Sequence, residues 1–173
     1  MPVIEGGGLG DPLSNAGAPV AGTNEVQTLT IGGTPTGGTF TLTLMGWTTA
    51  AITWINVNAT LLASINTALD ALPNGGASAI VATAGTLTAG IGTILLTFSG
   101  APLDHRVQPT MTATSSLTGT LPTLAIAETT PGVDATARGI AAGGLLIDTT
   151  NKKLYINTGT QAAPTFTVVG TQT

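Results

Sequence analysis

The sequence contains no cysteine. That removes disulfides, thiolate nucleophiles and cysteine-based zinc sites, and it leaves the redox compartment open. Charge is nearly as scarce. Only 7% of the 173 residues are charged, against roughly 25% in typical soluble proteins. Four are basic: Arg106, Arg138, Lys152 and Lys153. So few cations cannot neutralise a phosphate backbone, and no nucleic-acid partner is expected. The net charge is -4 and aromatics make up 3%. No run approaches the ~18 apolar residues of a membrane helix. The first residues lack the basic-then-apolar pattern of a secretion signal. Neither a membrane partner nor a secretion leader is expected.

What the chain has instead is glycine, 24 residues of it, and abundant threonine. Threonine suits strands because its branched Cβ fits the pleated surface, and its hydroxyl keeps that surface wettable without charge. No charged side chain occurs from Val26 to Leu69 or from Ala71 to Leu103. Monomeric sheets usually blunt their edges with Lys, Pro or bulges. Two readings follow: neighbours in an assembly cover the edges, or Gly, Thr and Pro turns protect them. The first is favoured.

The periodicity predicts a mostly β (α+β) chain, sandwich-like or barrel-like, with one helix. Residues 1–24 read as an extended arm, broken by Gly6-Gly7-Gly8, Pro12 and Pro19 but carrying Val3, Ile4, Leu9, Leu13 and Val20. Such an arm either drops single apolar side chains into another surface or is an idle tail; both readings stand. Residues 25–127 form the central domain. Glu25–Ile31 and 39–45 read as strands joined by a hairpin turn over Gly32–Gly37. Ala51–Ile55 is a short strand. Leu61, Ile65, Ala68, Leu69 and Leu72 make one helical stripe over about 58–72, with Asn58 as the cap and Pro73 as the stop. Strands follow at 79–83, 93–98 and 110–114. Thr120–Ile126 is an edge strand or an extended connection, because Pro122 cannot donate to a central ladder. Residues 128–144 read as a linker. Residues 145–173 form a meander around the polar turn Thr149–Lys152, too small to bury much apolar area alone.

Few side chains suggest chemistry. His105, the single histidine, sits between Asp104 and Arg106. Adjacent residues point apart, so this is no triad; loop hydrogen bonding or an interfacial ion pair is expected. Gly6-Gly7-Gly8-Leu9-Gly10 lacks a preceding strand and a Lys-Ser/Thr, so it is not a phosphate loop. Asp148-Thr149-Thr150-Asn151 reads as a polar turn ahead of a weak cation site. No catalytic, metal or cofactor-binding residue is expected, and the chain is read as a non-enzyme.

A family resemblance adds to this. Gly38-Thr39-Phe40-Thr41-Leu42-Thr43-Leu44, then Thr48-Thr49-Ala50-Ala51-Ile52, then a helix from Asn58 to Leu72-Pro73, then Ile94-Leu95-Leu96-Thr97-Phe98-Ser99-Gly100 resemble, in that order, a β-rich module of tailed-bacteriophage structural proteins and some bacterial surface proteins. The C-terminal run Leu154-Tyr155-Ile156-Asn157-Thr158-Gly159-Thr160 with Pro164-Thr165-Phe166 resembles the ends of phage head-fibre and decoration proteins, with Phe166 where Trp is common. The resemblance implies a capsid decoration protein on the outer surface of the virion, partnered by the major capsid protein and by its own copies as a trimer. Expected interface residues are Val3, Ile4, Leu9, Leu13, Val20, Trp47, Trp54, Tyr155 and Phe166. The alternative is a receptor- or glycan-binding module of a tail fibre or bacterial surface protein, with Trp47 or Trp54 as its platform, although the two tryptophans read first as core or interface anchors.

Overall fold

The computed structural model describes residues 13–15, 22–135, 140–160 and 164–171. The chain forms two compact units. One is Thr23–Val133; the other combines Asp134–Thr173 with the N-terminal segment up to Gly22. The fold is mostly β with one helix, as the periodicity predicts, and its sheets are antiparallel apart from one short parallel pair.

The larger unit holds β2 (Val26–Leu44), β3 (Trp47–Thr48), β4 (Ile52–Thr53), α1 (Asn58–Asp70), β5 (Ile80–Ala84), β6 (Gly92–Phe98) and β7 (Thr112–Thr130). The smaller holds β1 (Leu13–Asn15), β8 (Leu145–Asp148), β9 (Lys153–Asn157) and β10 (Phe166–Val168).

The predicted hairpin over Gly32–Gly37 does not exist. β2 runs straight through it as one 19-residue strand. Its partner is β7, itself 19 residues, which replaces the expected separate strands at 110–114 and 120–126 and extends into the expected linker. The two strands pair along almost their whole length, from Val26↔Thr130 to Thr43↔Thr112. The register shifts three times; one shift, between Val26 and Gln27, lies at the end of the pair, and the other two compensate each other. From Gly32↔Thr123 to Thr34↔Thr120, β7 takes three steps against two on β2. From Pro35↔Gly119 to Gly37↔Thr118, β2 takes two steps against one on β7.

Each strand therefore gains one residue, and each switches the parity of its inner face. In β2 the buried side chains change from Leu29 and Ile31 to Phe40, Leu42 and Leu44. In β7 the half-buried ones change from Ile126 and Leu124 to Leu117 and Ala113. Both halves thus face one core. Pro35 is tolerated because it lies at the bulge. Gly33 (φ +73) and Gly119 (φ +129) adopt backbone that favours glycine. A Cβ on Gly33 would meet the Leu121 carbonyl, and one on Gly119 the Thr34 carbonyl.

On its other side β2 changes partners at the bend. Val26–Ile31 pair with β6, and Thr39–Leu44 with β4 and β3. β5 continues the sheet beyond β6. α1 lays Leu61, Ile65 and Leu69 into the shared core with Ile94, Leu96 and Phe98. Its stripe is the predicted one. Its cap is not: Val57 occupies the N-cap without a side-chain bond. Asn58 instead donates to the Leu87 carbonyl (2.8 Å) and accepts from Gly90 N–H (2.9 Å), pinning the 87–90 turn beside the helix. Asp70, at the unfavourable end of the helix dipole, accepts from Ser78 N–H at 2.6 Å and ties down the following loop.

A buried polar cluster fixes the 103–111 segment. Glu25 accepts from the Gln27 amide and from Gln108 N–H, each at 2.6 Å, and Gln27 accepts from Met111 N–H at 2.8 Å. His105 Nδ1 lies 3.0 Å from Asp104 Oδ2, and His105 N–H donates to Asn24 at 2.8 Å. The two neighbouring side chains therefore meet rather than point apart, because the loop backbone at His105 (φ 49) is not extended; the pair takes part in loop hydrogen bonding.

Candidate association surfaces

Among the described residues the core of the smaller unit is Ile140, Leu146 and Tyr155, with Phe166 packed against it. Two buried polar side chains add to it. Asp148, fully buried, closes the β8–β9 turn. It accepts from Thr150 N–H (3.0 Å), Asn151 N–H (2.9 Å) and the Asn151 amide (2.7 Å). The Asn151 side-chain amide, then its N–H, hold the Asp148 carboxyl below its ordinary value of 3.8. The polar turn predicted at 148–151 is therefore an Asp-centred turn.

Asn157 does the same at the other end. Its amide donates to the Ile140 carbonyl at 2.8 Å and, at longer range, to those of Ala141 and Thr160. Its carbonyl accepts from Gly159 N–H and Thr165 N–H, both at 2.9 Å. Side chains of Asn are suited to this because one group offers both donors and acceptors. The Asn and Gly-Thr of the C-terminal run are thus structural: they shape the β9–β10 connection.

The register sets what each face of this sheet presents. Leu145 pairs with Ile156, Ile147 with Leu154, and Thr167 with Ile156. Leu146, Asp148, Tyr155 and Asn157 point inward and are buried. Leu145, Ile147, Leu154, Ile156 and Val169 share the opposite face by strand alternation. Leu145 and Ile147 are each 36% exposed and Val169 37%. A small sheet that is aliphatic on both faces has a second surface to cover.

The expected interface residues fall into three groups. Val3, Ile4, Leu9 and Val20 lie outside the described residues. Leu13 opens β1, which pairs in parallel with β8 (Leu13↔Leu146); its side chain lies outside the described residues. This short piece of the expected free arm is therefore a strand of the chain's own C-terminal sheet. Trp54, Tyr155 and Phe166 pack into their own units: Trp54 Nε1–H donates to the Gly90 carbonyl at 2.9 Å, and the other two belong to the small core. Trp47 alone of the aromatic set is open, 51% exposed, with Met45 exposed beside it on the β2–β3 turn.

Sequence reasoning missed the outer aliphatic face. The alternation of β8 and β9 was visible, but their apolar residues occupy both parities, and only the register separates the faces. A groove of about 490 Å³ between α1 and residues 50–53 is lined by Ala, Ser, Thr and Ile side chains, including Ala51, Ala63 and Thr67. None of these titrates. Among the described residues no group of three or more His, Asp or Glu could hold a metal, and no helix is long and apolar enough to cross a membrane.

Comparison of the sequence with protein-family models and with curated proteins finds no match.

Proposed function

We propose that this protein is a non-enzymatic virion component, a decoration protein that binds the outside of a tailed-bacteriophage head and stabilises it as a homotrimer. The motif order described from Gly38 to Gly100 and the C-terminal Leu-Tyr-x-Asn-x-Gly-Thr run motivate the shell assignment. The observation that carries the oligomeric part is the aliphatic outer face of the C-terminal sheet, Leu145, Ile147, Leu154, Ile156 and Val169. Burying such a face between copies removes apolar area from water at about 25 cal/mol per Å².

The mechanism is thermodynamic. A ligand that binds only the assembled shell stabilises that shell by mass action. Symmetric placement of joined copies multiplies weak contacts through effective concentration. The test compares heads with and without this chain. Heads carrying it should withstand higher temperature and lower ionic strength, and the chain should occupy the outer surface by electron microscopy. Equal resistance, with no density for the chain, would refute the assignment.

A second reading, a glycan- or receptor-binding module, draws on the exposed ring of Trp47. Loss of glycan-array binding in Trp47→Ala, with Trp54→Ala affecting only stability, would favour it.

A further inference from the structure

Two of the edge strands of the larger unit, β5 and β7, are treated differently. β5 is covered. Asn66 on α1 accepts from Ala82 N–H (2.8 Å) and donates to the Ala82 carbonyl (3.0 Å), standing in for the strand that would otherwise pair there. β7 has no such cover. Among the described residues it pairs with β2 alone, and none of its 19 residues is buried. Ala113, Leu117, Leu124 and Ile126 pack against the core only partly. A row of half-covered apolar side chains beside an unflanked strand is the pattern of a sheet with one strand missing.

The two halves of β7 are not equal candidates. The half after the bulge carries Leu121, 83% exposed at φ +48, then Pro122, then Glu128. Each of these discourages strand addition. The half before it, Thr112–Thr118, pairs with β2 in unbroken register and contains neither charge nor proline. Within it the Leu117 N–H takes a long local bond, 3.3 Å, to Ser115 Oγ.

We propose that a second copy of this chain pairs with this edge, β7 to β7, antiparallel across a two-fold axis at Ser115. That register sets Ser115 against itself, Ala113 against Leu117, Thr114 against Ser116 and Thr112 against Thr118. Residues of one face oppose residues of the same face, as pleating requires. The half-buried pair Ala113 and Leu117 meets its own counterpart. The outer hydroxyl rows already present, Thr48–Thr43–Thr112 and Thr53–Thr39–Ser116, continue into the second copy. A second copy suits the edge because the segment is uncharged, so self-pairing opposes no like charges. This contact needs no shell. It is distinct from the C-terminal face and would link oligomers joined there into a net.

The test uses the full chain, free of capsid. Ser115→Cys introduces its single thiol; a short bis-maleimide should link it into covalent dimers several-fold faster than Thr67→Cys, an exposed control on α1. Thr114→Lys with Ser116→Lys puts Lys against Lys at two pairs, and sedimentation should show pairing weakened by about tenfold or more. Thr114→Glu with Ser116→Glu should do the same, and mixing the Lys and Glu chains should restore the paired species. Unchanged sedimentation in all three samples, or equal linking at positions 115 and 67, would overturn the proposal. Loss of head binding with pairing intact would count against the shell assignment alone.

Discussion

The two units solve the same problem with different means. The larger one is held by a single apolar cluster of nineteen buried residues, from Leu29 to Met111. The smaller one shows, among the described residues, three such residues and two buried polar hubs, Asp148 and Asn157. The contrast follows from size. Burial grows with the number of layers and strands, so a four-stranded meander cannot fill an interior from aliphatics. Hydrogen bonds then decide which loop conformations survive, and the unused aliphatic residues end up on the outer face. The association proposed for this unit draws on that outer face.

Substitutions can sharpen or break this contrast, and the aromatic residues provide the readout. Tyr155 is the one tyrosine, in the smaller unit, while both tryptophans lie in the larger. Phe98→Ala should have the largest effect, about 3–5 kcal/mol for an aromatic ring removed from a packed interior, seen as a lower denaturation midpoint at Trp54. A loss below about 1 kcal/mol would mean that the apolar cluster is not what holds the larger unit.

Asn157→Ala should come next. It strands the amides of Gly159 and Thr165 and the Ile140 carbonyl, and should cost about 2–3 kcal/mol, read at Tyr155. If Asn157→Leu proves as stable as the wild type, the smaller unit is held by packing and the contrast fails. Asn66→Ala should cost about 1–2 kcal/mol and speed amide exchange at Ala82 without moving the Tyr155 signal.

The smallest effect is one of pH. The folded pKa of Asp148 is lowered. Its stabilisation is therefore fully present above the unfolded value, near 3.8, and is lost as pH falls through the lower folded value. Acid titration of the Tyr155 signal should show this loss below pH 3.8, and Asp148→Asn should flatten it. An unchanged acid profile in that variant would assign the transition to other carboxylates.

Local pattern made much of this legible. The helix, its stripe and its stop at Pro73 follow from spacing, and so do the individual strands. What sequence hid is whatever depends on a distant partner. Gly32–Gly37 carries every mark of a turn, and only β7, some eighty residues away, makes it a bulged strand. Asn58 looks like a cap because its use at Leu87 and Gly90 lies across the fold. Asp70 had no evident purpose until Ser78 was placed against it. Trp54 and Tyr155 pack within their own units, and sequence could not tell this from docking because buried and docking aromatics share one composition. Register alone separated the core face of β8 and β9 from the outer one.

The central claim is that the aliphatic outer face of the C-terminal sheet joins copies of the chain. The most direct measurement is the mass of the full chain in solution by light scattering over a range of concentrations, beside Ile147→Lys. The account predicts trimers for the native chain, linked further through β7 as concentration rises, and for the variant nothing heavier than the β7-paired dimer, with its Tyr155 signal still native. A native chain that stays monomeric at every concentration, or a variant whose mass is unchanged, would contradict it.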